Sequence, residues 1–152
     1  MISLKRTSRG FTIVELLIVI VVIGILAALV IVTYNGIQQR ARDTERKTDV
    51  KGIQGQLEAY WADNARYPTM ANVNDTTFRT TNFKGLDPSA FADPKNSASQ
   101  QVCAATAANC YGYSTTPAGC DNDPATATAD CSNYVLTATL ETGGTFSVQS
   151  NN

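Results

Sequence analysis

From Phe11 to Val32 nearly every position is apolar, and Glu15 is the only charge. A run of this length is enough for a membrane-spanning helix, which takes about 20 residues. The pattern then changes. Ile37, Ala41, Val50, Ile53, Leu57, Tyr60 and Trp61 recur at spacings near three and four, the period of a helix with one buried face. No proline interrupts Phe11 to Ala62, so the two stretches predict one helix of about 50 residues, or about 75 Å at 1.5 Å per residue. Gly24, Gly36, Gly52 and Gly55 weaken it locally, each by about 1 kcal/mol relative to Ala. Asp43 and Lys47 are spaced for an i,i+4 pair worth about 0.2–0.5 kcal/mol. The mixed charges from Arg40 to Lys51 predict a solvated face, or one that meets neighbouring subunits or lipid headgroups. The helix should stop within Asp63–Pro68, with Asn64 as a terminal residue and Pro68 turning Tyr67 away from helix.

From Thr69 to Ala108 no period is sustained. The stretch is rich in Asn, Asp, Thr, Ser and Ala, and it predicts loops pinned by Phe78, Phe83, Leu86 and Phe91, with a short helical turn near Leu86–Phe91. Alternation returns in Tyr111–Thr115, Tyr134–Leu140 and Thr145–Gln149, the last two separated by Thr142-Gly143-Gly144. Alternating runs bounded by glycine-rich turns predict antiparallel strands. Their apolar face should pack on the upper helix around Ile53, Leu57 and Trp61. The fold class is therefore α+β: a long N-terminal helix against a small sheet of about three strands.

Composition narrows the chemistry. The chain has 152 residues and no histidine, which removes the commonest general base and metal ligand; no nucleophile–base pair converges, so no catalytic residue, cofactor site or enzymatic activity is expected. Beyond Lys51 four cations face nine acids. An acidic head argues against general nucleic-acid binding, which calls for a basic patch. Cys103, Cys110, Cys120 and Cys131 contain no C-x-x-C pair, and four cysteines in a small domain outside the cytoplasm suit two disulfides. Three connectivities are possible; Cys103–Cys110 with Cys120–Cys131 is favoured because each closes a short local loop. Asp121, Asp123 and Asp130 offer oxygen ligands of the kind calcium prefers, but the spacing is not that of an EF-hand, and Asp-Asn-Asp-Pro is also a common turn composition. No metal is expected.

The opening stretch carries the sharper signal. Lys5, Arg6 and Arg9 precede Gly10, and Glu15 then sits inside the apolar run. An acid there is costly, about 2.5–3.5 kcal/mol on insertion scales for a charged residue at the centre of a span and less near its end. A secretory signal has a shorter apolar region, closed by a small-residue cleavage site. Gly10-Phe11-Thr12-Ile13-Val14-Glu15-Leu16-Leu17 resembles instead the processing site of type IV prepilins and pseudopilins. Asp63-Asn64-Ala65-Arg66-Tyr67-Pro68 is similar to the segment that follows the long helix in many of them. The chain departs from many pilins in having no proline between Ile25 and Gln39, where Gly24 or Gly36 would be the weak point.

The resemblance implies a leader over residues 1–10, a transmembrane and polymerisation helix over 11–33, its amphipathic continuation over 34–62, and a globular head over 63–152. It implies cleavage between Gly10 and Phe11 by a prepilin peptidase, N-methylation of Phe11, and Glu15 as the assembly carboxylate. The mature chain, without Lys5, Arg6 and Arg9, would carry nine cations against thirteen acids, about −4. The implied function is structural: a subunit, expected to be the major pilin, of a helical surface homopolymer. A peptidase/N-methyltransferase, an assembly ATPase and a platform membrane protein would be its partners. The precursor would sit in the cytoplasmic membrane with its head outside. The alternatives are a major pseudopilin of type II secretion or DNA uptake, and a minor tip pilin acting as adhesin or DNA receptor.

Overall fold

The computed structural model describes residues 10–122, 125 and 129–151. Contacts divide the chain into two units, Met1–Gln38 and Gln39–Asn152. Helix α1 runs from Ile13 to Asn64, 52 residues without a break, through Gly24 and Gly36. In the first unit its described large apolar side chains are open, from Val22 at 48% to Ile13 at 86% exposure. By length and composition α1 is able to cross a membrane.

In the second unit α1 buries one seam. Asp43, Arg46, Val50, Ile53 and Leu57 are all buried, at spacings of three and four that place them on one face. The apolar pattern places the start of that face at Ile37 and Ala41, but both are exposed. The seam begins instead with a charged pair. Val50, Ile53 and Leu57 are fully buried, each contributing about 1.5–3 kcal/mol. Gly52 belongs to the same packing, since a Cβ there would stand 3.0 Å from Leu86 Cδ1.

Strands β1 (Gly112–Thr116), β2 (Asn133–Thr139) and β3 (Thr145–Gln149) form an antiparallel meander in the order β1-β2-β3. Tyr113 faces Leu136 and Leu136 faces Val148 across the ladder. Tyr113, Tyr134, Leu136 and Ala138 join Val50, Ile53 and Leu57 in one core, with Phe146 and Val148 packed against it. The outer face is polar apart from Val135, and Thr137 and Ser147 share a 2.8 Å hydrogen bond there. The strands lie within one residue of the alternating runs in the sequence.

The stretch 69–108 is less irregular than its sequence predicts. Helix α2 spans Met70–Asn74 and helix α3 spans Thr76–Asn82. Each starts on a cap. Thr69 and Asn72 bond each other's backbone N–H groups reciprocally, and Asp75 Oδ1 accepts from the N–H groups of Thr77 and Phe78. Two helices of five and seven residues are too short to show a period. A 3-10 turn at Pro88–Phe91 fulfils the expected helical turn. The aromatics do pin this region: Phe83 lies 5.7 Å from Phe78 and 6.0 Å from Phe91, centroid to centroid.

Candidate functional site

At the start of α1, Gly10 and Phe11 are exposed and lie before the first helical turn. Thr12 and Glu15 form a capping box. The Glu15 N–H donates to Thr12 Oγ1 at 3.2 Å, while Glu15 Oε2 accepts from Thr12 N–H at 3.0 Å and from its hydroxyl at 2.8 Å. A carboxylate three residues after a capping threonine satisfies backbone donors that a helix start leaves open. Thr12 was thus legible as Thr-x-x-Glu, a role the sequence reading passes over. Among the described residues Oε1 of Glu15 makes no hydrogen bond, so half of the carboxylate is unclaimed within this unit.

The head holds a second constellation, centred on Arg46, which is only 1% exposed. Its Nε and Nη2 donate to the two oxygens of Asp93 at 2.7 and 2.9 Å. Its Nη1 donates to Asp43 at 2.9 Å and to Glu141 at 3.0 Å. Glu141 also receives Arg42 through two bonds, of 2.6 and 2.7 Å, and pairs with Lys95 at 2.8 Å. Asp43 accepts the N–H groups of Glu141 and Thr142 and the Thr142 hydroxyl. The cluster thus ties the first turns of α1 in the head to the β2–β3 hairpin and to the segment after the 3-10 turn. Asp43 pairs with Arg46, not with Lys47 as i,i+4 spacing predicts, and Lys47 is exposed. The mixed charges of 40–51 are therefore not all solvated.

The electrostatics follow from this packing. Burial pushes the Asp43 carboxyl up, but hydrogen bonds from Glu141, Thr142 and Arg46 outweigh it and bring it to about 2. The Arg42 hydrogen bonds hold Glu141 well below the carboxylate range, with Lys95 and Arg46 adding to the effect and burial opposing it. Asp49 behaves oppositely. Burial pushes it up to about 6 against the 2.8 Å hydrogen bond from the Tyr111 hydroxyl, and the Glu45 and Asp93 charges add to the rise. A second acid of α1, Glu58, accepts the Tyr67 and Tyr134 hydroxyls at 2.9 and 2.8 Å. Tyr67, Tyr111 and Tyr134 thus bury their rings in the core and hydrogen-bond acids of α1 through their tips, while the Tyr113 hydroxyl donates to the Pro68 carbonyl.

The structure joins Cys103 to Cys110 and Cys120 to Cys131. The first loop lies along β1, where Cys103 exchanges backbone hydrogen bonds with Tyr111 and Tyr113. It crowds Gly112, whose absent Cβ would lie 2.6 Å from the nitrogen and Oγ1 of Thr106. The second disulfide meets the end of α1: Tyr67 N–H donates to the Cys131 carbonyl, and Asn122 bridges the Tyr67 carbonyl to the Cys131 N–H. Of the calcium candidates, Asp130 pairs with Arg66 at 3.4 Å, Asp121 is partly buried, and Asp123 lies outside the described residues. No group of three or more acids or cysteines among the described residues is arranged to hold a metal.

A long exposed apolar helix, capped through a carboxylate and continued into a disulfide-bonded head with a three-stranded meander, defines a pilin-like α+β protein. The comparisons agree. The prokaryotic N-terminal methylation motif matches residues 5–31. Type II secretion system core protein G of Dickeya chrysanthemi is 39% identical over 66 residues, 43% of each chain. The same protein of Aeromonas hydrophila is 40% identical over 65 residues, 43% of this chain and 46% of that one. Type IV major pilin protein PilA of Myxococcus xanthus is 38% identical over 65 residues, 43% of this chain and 30% of that one. Over these stretches the chain is thus similar to type II secretion core protein G and to a type IV pilin. The matched stretch spans less than half the length of these curated relatives. No solved structure matches the chain.

Proposed function

We propose that the chain is the precursor of a filament subunit, expected to be the major pilin of a type IV pilus-like surface filament. A prepilin peptidase would cut it between Gly10 and Phe11, and Phe11 would then be N-methylated. The observation that carries this reading is the start of α1. An accessible Gly10–Phe11 bond stands before the first helical turn, followed by a helix whose apolar surface nothing in its own unit covers. Such a surface needs lipid in the precursor and neighbouring helices in a polymer.

Glu15 would then guide assembly. Thr12 engages one carboxylate oxygen and leaves the other, Oε1, for the Phe11 amine of a neighbouring subunit. A charged amine and a carboxylate in a medium that penalises either alone stabilise each other. Processing enzyme, assembly ATPase and platform membrane protein would be the partners, and the precursor would lie in the cytoplasmic membrane with the disulfide-bonded head outside. The related core protein G sequences favour one second reading, a major pseudopilin that builds a shorter filament for type II secretion.

The deciding experiment is intact-mass and N-terminal analysis of the chain from sheared cell-surface material and from membranes. A chain beginning at methylated Phe11 and dominating the sheared fraction is the expected result. A processed chain confined to the membrane fraction would favour the pseudopilin reading. An uncut Gly10–Phe11 bond in cells with active peptidase would overturn both.

A further inference from the structure

Arg79 stands apart from the other buried or half-buried arginines of the head. Arg42, Arg46 and Arg66 each pair with a carboxylate. Arg79 is 7% exposed, yet among the described residues it forms no ion pair. Its Nη1 donates to the Gln100 carbonyl at 2.7 Å, Nη2 reaches Thr76 Oγ1 at 3.5 Å, and the guanidinium carbon lies 4.6 Å from the centre of the Phe91 ring. Asp75, one turn earlier, uses Oδ1 to cap α3. Burial lowers the guanidinium pKa from its ordinary value, and the Asp75 charge opposes this. An arginine has five N–H donors in a planar fork, so three remain outside these bonds.

Two openings meet at Thr76 and Arg79. One is an apolar hollow formed by Phe83, Leu86, Pro88 and Phe91, with Thr80 at its edge. The other is a polar groove along Ser99, Gln100 and Gln101. None of the Arg79 nitrogens is both sealed from solvent and without a partner; the side chain lines the groove, where its open donors favour an anion that matches the fork, as carboxylates do bidentately. The adjoining hollow favours a hydrocarbon group on the same molecule.

We propose that this junction binds a small organic acid, with its carboxylate on the Arg79 guanidinium and a short aliphatic group in the hollow between Phe83, Leu86 and Phe91. The site lies in the loop-and-helix region between α1 and the sheet and does not depend on the filament reading. The structure gives Arg79 a second task, holding the Gln100 segment to α3, and the experiment separates the two.

Butyrate, acetate and 1-butanol are titrated into the full chain in detergent micelles while the Arg79 Nε–H resonance and the Gln100 and Gln101 amides are followed by NMR. Butyrate should give a saturable shift at all three, acetate a weaker one, and 1-butanol no shift at Nε–H. Arg79→Gln should weaken butyrate binding about tenfold or more, as expected for losing hydrogen bonds to a charged group. Because that variant also loses the Gln100 contact, Thr80→Trp provides the second arm. It fills the hollow from an exposed position, leaves the guanidinium in place, and should remove the advantage of butyrate over acetate. Shifts that never saturate, an equal response to 1-butanol, or butyrate binding unchanged in both variants would overturn the proposal and leave Arg79 a purely structural residue.

Discussion

Arg46 shows how much a single side chain decides in this head. Its guanidinium meets three carboxylates on three different segments. Arg46→Met keeps the bulk but leaves Asp43, Asp93 and Glu141 without their shared cation, and breaking a buried ion network from one side costs about 3–5 kcal/mol. Denaturant unfolding of the full chain in detergent, followed by fluorescence of Trp61, the single tryptophan, should show a loss of that order. A loss below about 1 kcal/mol would place the pair in the range of surface salt bridges and contradict the geometry. Asp49 makes a prediction of opposite sign in pH. Its folded pKa of about 6 lies above the ordinary 3.8, so the folded state holds its proton more tightly than the unfolded chain. Its contribution to stability is full below about pH 4 and is lost as pH rises through about 6. Asp43 and Glu141, whose values are depressed, lose their contribution only below about pH 4. Asp49→Asn should therefore flatten the change in unfolding midpoint between pH 4 and 6 while leaving the acid-side loss in place; an unchanged profile would show that Asp49 titrates normally.

At the scale of elements, period and punctuation decided what the sequence could reveal. The strands were legible because Tyr134, Leu136 and Ala138 alternate inward with outward Val135 and Thr137, and the helix end because Asn64 and Pro68 bracket it. Ala65 takes the left-handed position there, at φ 55°, with its N–H on the Trp61 carbonyl. Helices α2 and α3 were not legible from period, but Thr69-x-x-Asn72 and Asp75 are capping signals within a stretch that composition alone marks as loop. The Arg46 cluster was hidden for another reason: an amphipathic reading counts apolar positions, and here the first two positions of the buried face, Asp43 and Arg46, are charged. The loop closed by Cys103–Cys110 supplies a test at this scale. Gly112→Ala would drive a Cβ into the Thr106 backbone, and overpacking of this kind costs about 1–3 kcal/mol. A lowered thermal midpoint with shifted Thr106 and Tyr113 resonances is expected; an unperturbed spectrum would mean that the loop moves aside freely.

For the whole molecule, the proposed assembly role of Glu15 makes the strongest demand. Glu15→Ala removes the carboxylate from the capping box, which costs the helix start about 0.5–2 kcal/mol by analogy with lost caps, too little to unfold a 52-residue helix. The variant should be cut at Gly10 and accumulate in membranes without entering filaments, read by comparing sheared and membrane fractions. Normal filaments from Glu15→Ala would remove the carboxylate from the assembly step. Thr12→Ala, which loses the cap but keeps the acid, should assemble, and the contrast between the two separates helix capping from subunit pairing. The charged seam at the start of the head has a mechanical side as well. Tension carried along α1 would reach the head at Asp43 and Arg46, where it is passed at once to the β2–β3 hairpin and to the Asp93 segment. Bonds arranged side by side share a load that bonds in series would meet singly. Peeling the seam of α1 at Asp43 and Arg46 from the hairpin therefore requires the whole cluster to fail together.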